Sequence, residues 1–234
     1  MLGLGEAGGR IAADLAAAGV EVRGYDPVVA PGDPAALAAD ADAVLSLTTA
    51  AAARDAMTAV LPALRPDALY ADLNAAPPQL KRELAALVPA FVDVALLGPV
   101  GIAGLATPAL ASGADAGRFA ALFEPLGMPV EVVSDRPGDA SALKLLRSVF
   151  MKGLAAAALE SLAAAEAAGR REWLEEQLGE VITPSLLRRL VDGSRRHAAR
   201  RVDEMDAACE LLASLGVEPR IAAASRAILA ELGE

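Results

Sequence analysis

Aromatic side chains are scarce in this sequence: four Phe, two Tyr and one Trp make up 3% of its 234 residues. A core short of large rings and rich in alanine favours closely packed helices over a β-sandwich. Cysteine is reduced to Cys209 and histidine to His197. One cysteine closes no intrachain disulfide, which fits a reducing compartment. One Cys and one His do not furnish a zinc site of usual composition, so no metal is expected. Positive charge is in deficit, with 21 Lys and Arg against 31 Asp and Glu, a formal net charge of −10. Nucleic-acid binding rests on Lys and Arg neutralising phosphates, and this balance argues against it. A basic leader is lacking, and Glu6, Arg10 and Asp14 interrupt the apolar start, so no signal peptide is expected. No uncharged run approaches 18 residues with adequate hydrophobicity, because charges lie close to the small-residue tracts at 51–53 and 155–158. The expectation is a cytoplasmic protein with no membrane span.

What is present is organised around Gly3-Leu4-Gly5-Glu6-Ala7-Gly8, a G-x-G-x-x-G pattern. In a dinucleotide-binding unit the first Gly makes a tight turn. The second lets backbone approach a pyrophosphate, and the third lets helix and strand pack closely. The pyrophosphate then meets free N–H groups at a helix N-terminus. A helix should follow, then a second strand, then an acid about 20 residues on. The sequence supplies Ile11 and Leu15 on a helical spacing, Gly19 as a stop, residues 20–25 as a strand, and Asp26 at its end. An acid there suits a free ribose diol and repels a 2′-phosphate, so NAD is expected in preference to NADP. The strand before Gly3 is reduced to Met1 and Leu2, where about five residues are usual.

Strand and helix patterns then alternate. Helices are expected over 34–39 with Asp33 as N-cap, 50–64, 77–87 and 115–126. Strands are expected over 43–47, 69–73, 91–96, 108–112 and 130–133. That order predicts an α/β fold, a Rossmann-type doubly wound and mostly parallel sheet with helices on both faces. After Pro137-Gly138 the pattern is helical only, over 139–169, 171–178, 184–191, 195–215 and 220–232. The expected domains are therefore a nucleotide-binding half, 1–136, and an all-helical half, 137–234.

Ligands of open α/β sheets bind beyond the carboxyl ends of the strands. The residues that fall there are 3–8, Asp26 with Pro27, Leu47-Thr48-Thr49, Asn74 and Gly98-Pro99-Val100. Turns are built of such residues in any protein, but here they collect on one edge. Lys144, Ser148 and Lys152 recur every fourth residue on the first long helix, on one slowly drifting face. A desolvated lysine beside a nicotinamide would hold or release a substrate proton. Arg195, Arg196, Arg200 and Arg201 around His197 read as an ion-paired helix face. Trp173 reads as a packing anchor.

These segments together resemble the β-hydroxyacid dehydrogenases, the group holding 3-hydroxyisobutyrate and 6-phosphogluconate dehydrogenases. The resemblance covers essentially the whole chain. Leu2-Gly3-Leu4-Gly5-Glu6-Ala7-Gly8 looks like the cofactor motif, and Tyr70-Ala71-Asp72-Leu73-Asn74 like the strand facing the nicotinamide. Asp93-Val94-Ala95-Leu96-Leu97-Gly98-Pro99-Val100 lies where the family has its substrate loop. Gly138-Asp139-Ala140-Ser141-Ala142-Leu143-Lys144 resembles the catalytic lysine segment, and Arg201-Val202-Asp203-Glu204-Met205 a helix bordering the substrate. The resemblance implies an NAD(P)-dependent enzyme that dimerises through its helical domain and acts on a small hydroxy acid. It places Lys144 as general acid/base and Ser148 as the group orienting substrate or water. The substrate side then holds Gly98, Pro99, Val100, Lys152 and Glu204. The sequence departs from the pattern at Leu97-Gly98-Pro99, where better-known members carry Ser-Gly-Gly, and at Ser148, where they place asparagine. Two other readings stand beside this one: an imine reductase on the same scaffold, and a non-catalytic dimeric relative that still binds nucleotide.

Overall fold

The computed structural model of the protein describes residues 1–233. They form two compact units that divide between Lys144 and Leu145. The change of pattern at 136/137 lies earlier than this division. The reason is local: the first turn of the long helix is hydrogen-bonded into the sheet, so Gly138 and Ser141 belong with the strands.

In the first unit the order is α1 (Glu6–Ala17), α2 (Pro34–Ala38), β1 (Ala43–Ser46), α3 (Ala53–Val60), β2 (Leu69–Asp72), α4 (Pro78–Ala85) and β3 (Phe91–Leu96). Then come α5 (Val100–Ala103), a 3-10 turn (Gly104–Ala106), β4 (Ala109–Ser112), α6 (Ala116–Phe123), β5 (Val130–Ser134) and the start of α7 (Asp139–Ala167). The strands lie side by side in sequence order. All pairs are parallel except β3 with β4. The link between these two strands holds only α5 and the 3-10 turn, which lie along α1, and β4 returns beside β3 in the opposite direction.

Both sheet faces are covered. Leu45, Ala71, Val92 and Ala111 turn to one face and pack under Ile11 and Leu15 of α1 and Phe119 and Phe123 of α6. Val44, Tyr70 and Phe91 turn to the other, against Met57 and Val60 of α3 and Leu84 of α4. Burying each Val, Leu, Ile, Met or Phe among them contributes about 1.5–3 kcal/mol relative to exposure, and each Ala less. On this second face the register aligns Ser46 with Asp72, Asp72 with Asp93, Asp93 with Ser112, and Ser112 with Ser134. A polar row therefore crosses the sheet, and its first four members are wholly buried.

The expected strand over 20–25 does not form. Only Tyr25 and Asp26 make isolated bridges, Tyr25 to Leu2 and Asp26 to Ala30, while Leu2 also bridges Ser46. A strand needs a partner along its length, and Leu2 offers one residue. Leu2 N donates to Leu45 O at 2.8 Å and Leu47 N donates to Leu2 O at 2.8 Å, so the first strand survives as a single link. Beside it opens a slot of about 310 Å³, lined by Met1, Val20, Val22, Val44, Leu45 and Phe123 among others. The Met1 ammonium donates to Arg23 O at 2.7 Å. Burial lowers its pKa from 8.0 to about 6.

The second unit continues α7 and adds α8 (Arg171–Val181), α9 (Pro184–Arg196), α10 (Ala198–Ser214) and α11 (Arg220–Glu231). Thr183 caps α9 by accepting from Leu186 N at 3.2 Å. The helix expected to begin at Arg195 begins at Ala198 instead, since His197 takes a non-helical ψ of 32° between α9 and α10. Leu145 packs with Met205, Ala208, Ala222 and Leu229, and Leu159 and Leu162 with Leu187 and Val191. Gly153 admits α11 closely: a Cβ there would lie 2.9 Å from Ile221. By length and composition α7 could cross a membrane, with a mean hydropathy of 1.3 over its most apolar window, against the expectation of no such segment. Ala155, Ala156 and Ala158 of this helix are buried within the unit, while 33% of its most apolar window is buried in all.

Candidate functional site

The Gly-rich turn has the backbone such a turn requires. Gly3 takes φ 85°, and a Cβ on it would run into Leu47 O. A Cβ on Gly8 would run into Gly3 O, so helix and strand touch through bare backbone. Gly5 is the N-cap of α1 and supplies no side-chain cap, and the space over its Cα is open. The first-turn N–H groups have no intrahelical acceptor there. Ala7 and Gly8 follow in the first turn, with Glu6 exposed beside them.

Asp26 ties into this turn. Its Oδ2 accepts from Leu4 N at 2.9 Å, and its Oδ1 from Val28 N and Val29 N at 2.9 and 3.2 Å. These backbone donors, Leu4 first, lower its pKa and keep it anionic. The Leu4 side chain lies against Gly24, where a Cβ would meet it at 2.8 Å. Pro27 follows in the exposed loop.

Leu47, Thr48 and Thr49 leave the end of β1 beside Gly3. Thr49 Oγ1 accepts from Ala52 N at 3.2 Å, and Thr48 Oγ1 donates to Thr49 O at the same distance. Asn74 follows β2 and is buried at 4% exposure. Its Nδ2 donates to Ser46 Oγ at 3.1 Å and Asp72 Oδ2 at 2.8 Å, and its N to Asp72 Oδ1 at 3.2 Å. A carboxylate only accepts, which fixes the amide orientation. Asn74 Oδ1 is left buried without a hydrogen-bond partner. Such an acceptor costs about 1–3 kcal/mol until a donor arrives.

Gly98, Pro99 and Val100 follow β3, but the segment is not the open loop expected. Pro99 O accepts from Ile102 N and Ala103 N and starts α5. The segment lies along α1: Leu105 N donates to Asp14 Oδ2 at 2.9 Å, and a Cβ on Gly101 would meet Glu6 Oε1 at 2.5 Å. Residues 3–8, Asp26, Leu47, Asn74 and the segment after β3 thus form one connected edge in the first unit. Lys144 is that unit's last residue, on α7.

Ser148, Lys152 and Glu204 come together within the helical unit. Ser148 Oγ donates to Glu204 Oε1. Lys152 Nζ pairs with Glu204 Oε2 at 2.9 Å and donates to Ser148 Oγ at 3.3 Å. Desolvation lowers the Lys152 pKa despite the Glu204 charge that opposes it.

The sequence reading did not single out Lys81. It lies on α4 at 0% exposure, with Nζ 2.5 Å from Asp72 Oδ1 and 3.2 Å from Asp93 Oδ1. Burial works against its charge, but the two carboxylates outweigh this and raise its pKa. The available signal was two acids at matching places inside apolar strands, which need a buried cation nearby.

A Gly-rich βα turn, an acid docked on it, and a following helical unit define a Rossmann-type fold with a helical C-terminal region. Comparisons with known proteins give the family. Residues 165–232 match a family model described as a domain of unknown function, DUF1932. A conserved hypothetical protein from Sinorhizobium meliloti 1021 is 30% identical, with 98% of this chain and 86% of that one covered and a TM-score of 0.73. The conserved protein MTH1747, reported to be structurally similar to 3-hydroxyacid dehydrogenases, is 29% identical over 99% and 95% of the two chains, with a TM-score of 0.74. An uncharacterized 28.5 kDa protein of Methanothermus fervidus is 33% identical over 149 residues, which are 61% of this chain but only 56% of that protein's length. Likeness of fold alone extends to a 3-hydroxyisobutyrate dehydrogenase from Salmonella typhimurium, at 19% identity over 98% and 92% of the chains and TM-score 0.83. It extends also to a reductive aminase from Aspergillus terreus solved with NADPH and ethyl levulinate, at 20% identity over 98% and 91% and TM-score 0.61. The chain belongs to the β-hydroxyacid dehydrogenase family.

Proposed function

We propose that this protein is an NAD(P)-dependent oxidoreductase acting on a small hydroxy acid, or on the carbonyl compound in the reverse direction. The observation that carries the reading is the start of α1 at Gly5, which has no side-chain cap and open space over its Cα, beside a turn that admits no side chain at Gly3 or Gly8. The orphaned Asn74 Oδ1, on the connected edge, fits a ligand that brings an N–H donor, as a nicotinamide carboxamide does. Residues 3–8, Asp26, Pro27, Leu47, Thr48, Thr49 and Asn74 would hold the dinucleotide. The bound nicotinamide would supply or accept the hydride. Lys144 takes the hydroxyl proton in oxidation and returns it in reduction. Ser148 orients the substrate or a water, and Gly98, Pro99, Val100, Lys152 and Glu204 contact the substrate.

We assign NAD as the preferred cofactor. Asp26 presents an anion where a 2′-phosphate would sit, and Pro27, Val28 and Val29 after it bring no cation. The NADPH bound to the Aspergillus reductive aminase points the other way. The same likeness and the apolar Leu96-Leu97 pair, with no Ser-Gly-Gly after it, favour imine reduction as the second reading. The working form is proposed as a cytoplasmic homodimer joined through the helical unit. Titration with NADH and NADPH, followed by a screen of hydroxy acids, keto acids and cyclic imines with both, tests these assignments. Tighter binding of NADH and turnover of a hydroxy acid are expected. A clear preference for NADPH overturns the role given to Asp26, and turnover of imines alone overturns the substrate class.

A further inference from the structure

The buried polar row is held by one cation. Lys81 Nζ bonds Asp72 Oδ1 at 2.5 Å and Asp72 O at 2.8 Å, and it pairs with Asp93 Oδ1 at 3.2 Å. All three side chains are fully buried. The two carboxylates do different work. Asp72 accepts the N and the Nδ2 of Asn74 and so fixes the amide whose carbonyl is orphaned. Asp93 holds the entry to α7: its Oδ2 accepts from Gly138 N at 3.1 Å and Ser141 N at 3.0 Å, and its Oδ1 from Ser141 Oγ at 2.7 Å. Ser112 completes that grip, donating to Asp93 Oδ2 at 3.2 Å while accepting from Ala140 N at 3.0 Å. Gly138 turns at φ 98° against the start of α4, where a Cβ would lie 2.8 Å from Pro78 O.

A helix start of this kind is an anion site filled by the protein's own carboxylate. Two carboxylates in one dry layer repel each other unless a cation sits between them. Lys81 supplies that cation, and it does so from α4, which begins at Pro78 shortly after Asn74 and adjoins Gly138.

We propose that Lys81 is a positioning residue serving both halves of the first unit's chemistry. Through Asp72 it presents the Asn74 carbonyl to an N–H donor of the bound nucleotide, and through Asp93 it fixes the turn from which the Lys144-bearing helix departs. The inference rests on the nucleotide-binding reading above. A spacer lysine within the core would show no such division of labour between the two aspartates.

The test uses the full chain with three substitutions, Asp72→Asn, Asp93→Asn and Lys81→Met. NADH affinity is read by fluorescence titration, and amide exchange over 138–141 by mass spectrometry. Asp72→Asn should weaken NADH about tenfold, as expected when a buried acceptor loses its alignment, with exchange over 138–141 unchanged. Asp93→Asn should speed that exchange about tenfold or more and leave NADH affinity within about twofold. Lys81→Met should move both. A Lys81→Met protein that folds and moves neither overturns the proposal, as does an equal effect of both aspartate variants on both readouts. If Lys81→Met does not fold, the separation between the two isosteric aspartate variants decides. If the unaltered protein binds no NADH, the nucleotide reading fails by itself, and exchange over 138–141 in Asp93→Asn still decides whether that turn is held from Asp93.

Discussion

Adding a few apolar residues ahead of Met1 will stabilise the protein, and most of all in mild acid. The Met1 amine sits where a strand would place a peptide N–H, bonded to Arg23 O, with its pKa lowered from 8.0 to about 6. A base whose folded pKa lies below its unfolded one is bound to fewer protons in the fold between those values. Stability therefore rises with pH from about 6 to about 8 and is lost as pH falls through the folded value. A shift of that direction and size corresponds to a few kcal/mol at full protonation and about half of that at neutral pH. An extended chain carries an uncharged N–H at that point and loses this slope. It also enters the slot between residues 20–23 and β1. There the odd-numbered residues of β1 turn their backbone groups toward Leu2, as Leu45 O and Leu47 N already do. Each new bond made there is worth about 1 kcal/mol. Urea melts of both forms at mildly acidic and mildly alkaline pH measure the difference, and groups common to both cancel. NADH titration of both forms then asks whether a better-held Gly3 turn binds more tightly, as expected. Equal pH slopes in the two forms would refute the reasoning about the amine. Equal NADH affinities would show that the short strand does not loosen the turn.

Gly8→Ala should abolish nucleotide binding while the helical unit stays folded, because its Cβ meets Gly3 O with backbone on both sides; titration with NADH alongside far-ultraviolet circular dichroism checks this. Lys144→Ala should lower turnover by about 10²–10⁴ with NADH affinity unchanged; an undiminished rate removes Lys144 from proton transfer.

Much of this architecture was legible because its signals are local. Apolar runs bounded by Gly, Pro and Asp marked β1 to β5, and Asp33 and Pro34 marked α2 by a cap that the structure shows, Asp33 Oδ1 accepting from Ala35 N at 2.9 Å. The strand over 20–25 was misread for the opposite reason: its pattern was right, but a strand exists only with a partner, which pattern does not report. The reversal of β4 and the short α5 depend on how the segment after Gly98 packs along α1, again not a local property. At the candidate site, the glycines and Asp26 could be found because few residues fit those backbone demands. Lys81 was harder to find: acids in two apolar runs hinted at a buried cation, but Lys81-Arg82-Glu83 reads as an ordinary solvated helix face. Only the pairing register brings Asp72 beside Asp93 and makes a buried cation necessary.

The polar row also bears on how the chain finds its pairing. Strands of four to six residues, mostly alanine, valine and leucine, can slide past one another at little cost in apolar contact. A slip of one residue would swing Asp72 or Asp93 to the face lined by Leu69, Leu73 and Val94, away from Lys81. An unpaired carboxylate in that layer costs several kcal/mol. Serine and aspartate at one level of each strand therefore act as a key for alignment, rejecting misregistered sheets during folding in a chain whose apolar side chains are too alike to do so.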